Sequence, residues 1–147
     1  MATNDEQDTL KRGIDAVDSG DTNSGLSCLE SLYKRSPNPV IMSYYAVCLA
    51  KERREKHRAR DLCSEALKED PGNPVHYLNL GRVYLAGGMK REAIKTFRDG
   101  LLYRKNAMIS RELERLGWRS PPVIPSLGRE HLLNRVLGRF LAWLGLR

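Results

Sequence analysis

One spacing constrains this 147-residue chain more than any other feature. Small residues recur at Gly25, Ala59 and Ala93, a step of 34 residues each time. Pro37 and Pro71 keep the same step, and so do Leu29, Cys63 and Phe97. Gly13 and Gly81 lie two steps apart, with Val47 between them. Several positions agreeing on one period mark a repeat architecture. In such a chain each unit is too small to bury its apolar face alone and must stack on its neighbours.

Each unit reads as two helices. Tyr77, Leu80, Gly81, Tyr84 and Leu85 fall on one helical stripe, and Gly87-Gly88 then breaks it. Ala93, Ile94, Phe97 and Leu101 make a second stripe. In the middle unit Tyr44, Tyr45, Cys48 and Leu49 precede a charged turn, and Ala59, Leu62, Cys63, Ala66 and Leu67 follow it. Asp70-Pro71-Gly72-Asn73-Pro74 stops one helix and starts the next, since proline fits a first turn but not a helix interior. The first unit has Leu10, Ile14 and Val17, the turn Ser19-Gly20-Asp21, then Leu26, Leu29 and Leu32, and Ser36-Pro37-Asn38-Pro39 closes it. Gly81 and Ala93 fall where the two helices of a hairpin cross, and a larger side chain there would push the axes beyond their usual spacing. In the middle unit Ala46 competes with Val47 for the small contact position, which would put one extra residue in the following turn.

These residues resemble the tetratricopeptide repeat, a helix–turn–helix unit of this length. Tyr77-Leu78-Asn79-Leu80-Gly81-Arg82-Val83-Tyr84, followed by Ala93 and Phe97, matches its motif closely. Ala59, Cys63, Ala66 and Pro71 match in the middle unit, and Gly13, Gly25 and Pro37 in the first, although Lys105 stands where a closing proline is expected. The resemblance implies an all-α fold. It would be a right-handed superhelix of three such hairpins, at 6–39, 40–73 and 74–107, followed by a capping helix and a C-terminal amphipathic helix. It also implies a concave surface, lined by the first helices, that accepts a peptide or helix. By resemblance the facing residues are Tyr44, Lys51, Leu78, Asn79 and Arg82. Tyr44 and Leu78 would anchor apolar groups, Lys51 and Arg82 would pair with carboxylates, and Asn79 would bond a peptide backbone. The lysine and asparagine set with which some members clamp a C-terminal carboxylate is incomplete here.

The flanks are expected to be a flexible N-terminus at 1–5, a capping helix at 107–117, a proline-rich spacer at 118–128 and the amphipathic helix at 129–147. Met108, Ile109, Leu113 and Leu116 supply the cap's apolar side, and Gly117 its stop. Ser120-Pro121-Pro122-Val123-Ile124-Pro125-Ser126 is extended. Leu132, Leu133, Val136, Leu137, Phe140, Leu141 and Leu144 form one broad stripe, with Trp143 at its edge and Arg129, Glu130, Asn134, Arg135 and Arg139 opposite. Burying such side chains is worth about 1.5–3 kcal/mol each, so the helix needs a home. Leu133, Val136, Leu137, Phe140 and Leu144 are its docking residues. Three homes compete: its own repeats, where it would be self-inhibiting; another chain, including a second copy; and an anionic membrane surface. Gly138 favours a packed partner, because it weakens an isolated helix.

The net charge is +7, with an acidic first third and a basic remainder. A basic surface suits an acidic protein face, nucleic acid or anionic lipid. Lys51, Arg53, Arg54, Lys56, Arg58 and Arg60 crowd one turn against Glu52 and Glu55. The segment is either a phosphate-binding patch or an exposed helix end, and no aromatics interleave for base stacking. No phosphate loop, nucleophile elbow or HExxH occurs, and Cys28, Cys48 and Cys63 form no CxxC. His57, His76 and His131 are far apart. No enzyme activity, metal or cofactor is therefore expected. No apolar run reaches the ~20 residues of a membrane span, and Met1 to Gln7 is polar and acidic, so the expected location is cytoplasmic. The function these features imply is an interaction scaffold or adaptor that holds a peptide or helix of an acidic protein partner, regulated by its own C-terminal helix. The alternative is nucleic-acid or peripheral membrane association through the basic half.

Overall fold

The computed structural model describes residues 4–118 and 131–143. Eight helices lie within them: α1 (Asn4–Ser19), α2 (Thr22–Arg35), α3 (Pro39–Glu52), α4 (Lys56–Glu69), α5 (Pro74–Ala86), α6 (Lys90–Tyr103), α7 (Ala107–Arg115) and α8 (Leu132–Trp143). The chain divides into two units, Met1–Leu116 with α1 to α7 and Gly117–Arg147 with α8. In the first unit α1 pairs with α2, α3 with α4 and α5 with α6. The hairpins stack in sequence order, α2 on α3 and α4 on α5, the arrangement of a helical-repeat superhelix. The first helices also adjoin one another, α1 beside α3 and α3 beside α5, and α7 packs on α6.

Local chemistry accounts for four of the helix starts. Asp21, Asn38, Asn73 and Asn106 each accept a hydrogen bond from a first-turn backbone N–H, at Ser24, Ile41, Val75 and Ile109. Pro39 and Pro74 occupy the first helical positions, where no N–H is needed. The turns inside the hairpins keep the 34-residue step: Gly20, Arg54 and Gly88 have φ of 95°, 57° and 76°. The helices that follow begin at Thr22, Lys56 and Lys90. The middle turn therefore has no extra residue, and Val47 holds the position of Gly13 and Gly81.

That position explains how the hairpins close. A Cβ at Gly81 would lie 2.1 Å from Phe97 Cε1, and one at Gly13 would lie 3.0 Å from Leu29 Cγ. In the middle unit Val47 fills the position, and Cys63 stands where the other units have Leu29 or Phe97. Large opposite absent becomes medium opposite small, so the packed volume is conserved.

The core runs through α3, where all ten residues from Ile41 to Ala50 are buried. A helix apolar on every side is one enclosed by neighbours, here α1, α2, α4 and α5. Tyr33 stacks on Tyr45 with centroids 4.9 Å apart. Cys48 and Cys63 are buried free thiols, and burial pushes Cys48 up to about 12 and Cys63 upward as well, so neither is a thiolate at neutral pH.

Helix α1 begins at Asn4, inside the segment 1–5 expected to be flexible. Apart from Trp118, the spacer 118–128 lies outside the described residues, as does Leu144. Among the described residues no helix is long and apolar enough to cross a membrane.

Candidate binding groove

The side-by-side placement of α1, α3, α5 and α7 brings together charges that are far apart in sequence. Arg82 is the one permanent charge of α5, and its side chain is 8% exposed. A guanidinium that buried needs counter-charge. Arg82 Nη1 donates to Asp18 Oδ1 of α1 at 2.7 Å, and Nε lies 3.8 Å from Glu112 Oε1 of α7. Glu112 also holds Arg115, at 2.6 Å. The Tyr44 hydroxyl donates to the other Asp18 oxygen at 3.2 Å. Burial, with the Asp18 charge beside it, pushes that hydroxyl well above its ordinary pKa, so it stays a donor.

The network continues inward. Arg82 Nη1 donates to Asn79 Oδ1 at 3.3 Å, and Asn79 Nδ2 donates to Ser43 Oγ at 3.2 Å. Ser43 Oγ lies 3.0 Å from His76 Nδ1. His76 Nε2 is buried, 3.5 Å from Asp70 Oδ2, and has no hydrogen-bond partner among the described residues. Burial lowers the His76 pKa below its ordinary 6.5, and Asp70 offsets this only in part. The native state thus resists a proton that the unfolded chain accepts. The stability from neutral His76 is present above pH 6.5 and is lost as pH falls through and below that value. Urea midpoints measured at pH 7.5 and 5.5 should show a drop that His76→Gln reduces, and an equal drop in both proteins would refute this role.

Two clefts open beside this network. One of about 390 Å³ is lined by Asp18, Lys51, Arg82, Ala86, Glu112 and Arg115. The other, about 330 Å³, is lined by Ala50, Lys51, Arg54, Lys56 and Ala86. Lys51 and Ala86 belong to both. The first cleft draws on all four first helices, α1, α3, α5 and α7.

The sequence of α4 to α7 carries a recognisable signature: the tetratricopeptide repeat family model matches residues 57–111. Residues 57–111 carry a tetratricopeptide repeat segment. Solved structures of similar fold include the Arabidopsis OM64 TPR domain, with a TM-score of 0.55 and 20% identity over 76% of this chain and 93% of that one. The Naa15/Naa10 structure bound to HypK-THB is similar with a TM-score of 0.62 and 25% identity, over 76% of this chain and 17% of that one. The first TPR of Spaghetti (RPAP3), bound to the HSP90 peptide SRMEEVD, has a TM-score of 0.55 and 18% identity over 76% of this chain and 90% of that one. No curated protein matches the sequence significantly.

Asp18 joins Tyr44 to Arg82, Arg82 in turn holds Asn79, and Lys51 shares a cleft with Arg82. Their exposures differ sharply: Tyr44 4%, Leu78 1%, Asn79 0% and Arg82 7%. Lys51 is exposed. As placed, Leu78 offers no apolar surface, and Arg82 already has two carboxylates. Asp18, Ser43, His76, Glu112 and Arg115 complete the arrangement and were not singled out from sequence. The one signal that bears on them is a lone arginine between Gly81 and Val83 in a helix otherwise free of permanent charge, which needs an acid nearby only if it is buried.

Of the six cations at 51–60, Arg53 is paired with Glu30 at 2.7 Å and Arg58 with Glu55 at 3.1 Å. Lys51, Arg54 and Lys56 line the second cleft. In α8, Leu133, Val136 and Phe140 are exposed, together with Leu132 and Trp143, while Leu137 is half-buried. Among the described residues no group of three His, Cys, Asp or Glu could hold a metal ion.

Proposed function

We propose that this protein is an interaction scaffold that holds a peptide or helix of another protein in the cleft between its first helices. The observation that carries the reading is that cleft, walled by the Asp18–Arg82–Glu112 bridge, with Lys51 exposed at its edge. Structures of similar fold bound to an HSP90 peptide and to HypK support it. Tyr44, Asn79 and Arg82 fix the wall, and Lys51 with Arg115 meets the partner, while Leu78 is buried and offers no surface. The role is binding and not catalysis, and an acidic partner suits the net charge of +7.

The test begins with a pulldown that identifies a partner, followed by titration of its binding segment. Lys51→Glu reverses an exposed charge without touching the bridge, so folding is unaffected. It should weaken binding about tenfold, or about 1.4 kcal/mol. Unchanged affinity would remove the cleft assignment. Regulation by the C-terminal helix belongs to the same proposal and is supported by the exposed apolar side chains of α8. Deleting residues 126–147 should then raise affinity for that segment, and equal affinity would dismiss the regulatory role.

A further inference from the structure

Gly20, Arg54 and Gly88 occupy one repeat position, and all three adopt left-handed backbone, with φ of 95°, 57° and 76°. Glycine is the residue for which that conformation carries no steric cost. Two units use it, and the middle unit places an arginine there instead. Among the described residues Arg54 is the one non-glycine with positive φ. The backbone of this turn does not need the side chain: Arg53 N and Glu55 N both donate to Leu49 O, at 3.1 and 3.2 Å. A residue held against its backbone preference points to work done by its side chain.

The surroundings indicate what that work is. Arg54 lines the 330 Å³ cleft with Lys51 and Lys56, over Ala50 and Ala86. The neighbouring Arg53 and Arg58 are neutralised by Glu30 and Glu55. Lys51, Arg54 and Lys56 have no carboxylate within ion-pair distance among the described residues. Three unpaired cations around one concave site repel one another and favour a ligand that brings negative charge. The cleft shares Lys51 and Ala86 with the larger one, where Asp18 and Glu112 begin.

Resting on the scaffold reading above, we propose that Lys51, Arg54 and Lys56 are a docking site for an acidic segment of the partner protein. Carboxylate side chains enter the small cleft while the rest of the segment runs into the large one. A peptide fits better than nucleic acid for two reasons. Among the described residues no aromatic side chain lines either cleft for base stacking, and a continuous phosphate backbone would run against Asp18 and Glu112.

The probe is fluorescein-labelled hexaglutamate, titrated by anisotropy into the full chain at low salt. Arg54→Gly relieves the backbone and removes the charge. It should raise Tm by a few degrees and weaken hexaglutamate binding about fivefold. Arg54→Lys should stay within about twofold of the original chain, as should Lys95→Gln, which removes an exposed charge outside the cleft. Binding should weaken as salt rises. Equal binding by Arg54→Gly and the original chain overturns the proposal, and so does an equal loss in Lys95→Gln. A single-stranded 12-mer oligonucleotide that binds more tightly than hexaglutamate, and depends on Arg54, also overturns it by assigning the site to nucleic acid. If hexaglutamate fails while Lys51→Glu still loses the partner, the acidic docking site falls and the scaffold reading stands.

Discussion

Arg82→Ala should lower the free energy of unfolding by about 3 kcal/mol, the lower end of what removing one member of a buried ion pair costs. Arg82 is neutralised from both sides, by Asp18 and Glu112, whose side chains are 29% and 15% exposed. Removing the guanidinium leaves two carboxylates facing one cavity, and among the described residues only Glu112 keeps another cation, Arg115. The residual exposure of Asp18 lets water take up part of the loss, which is why the lower figure applies. Asn79 Oδ1 and the inner half of the network lose a donor as well. Arg82→Lys should recover about half of the loss, since an ammonium can reach one carboxylate but lacks the fork that meets both. Chemical denaturation of the three proteins measures this, and a loss below about 1 kcal/mol for Arg82→Ala would show that the bridge contributes no more than a surface pair.

Gly81→Ala should cost about 2 kcal/mol. The added methyl would lie 2.1, 2.5 and 2.6 Å from Phe97 Cε1, Cδ1 and Cζ. Phe97 is fully buried and its ring cannot swing into solvent. Overpacking of this kind costs about 3 kcal/mol at its upper range, and the better helix propensity of alanine returns about 1 kcal/mol. The middle unit shows how the chain accommodates bulk at this position, with Val47 against the smaller Cys63. Gly81→Ala combined with Phe97→Leu should therefore be more stable than the sum of the two single changes by about 2 kcal/mol. Additive behaviour would mean that the two residues do not share the crossing point.

These two results also decide how binding experiments must be built. Tyr44, Leu78, Asn79 and Arg82 are buried, so changing them alters stability along with any recognition. Lys51 and Arg54 separate the two, because neither is engaged in the bridge.

The all-helical repeat was legible before any coordinates. Its markers are local: a stop at Pro37 or Pro71, a turn at Gly20 or Gly88, and a small residue where two helices cross. Each acts on its own few residues, and the 34-residue step repeats them. Arg82 was likewise legible as a residue of the first helices. The buried bridge was not. Arg82 meets an aspartate 64 positions earlier, and that pairing exists only once α1, α5 and α7 stand side by side. The left-handed backbone of Arg54 was hidden in another way, because an arginine in a basic run looks like any exposed helix end. Sequence alone determined which segments are helices and that hairpins recur, since propensity, capping and period are properties of neighbouring residues. Only the tertiary structure decided which charges cancel and which remain unpaired, because electrostatic pairing depends on distance through space and not along the chain.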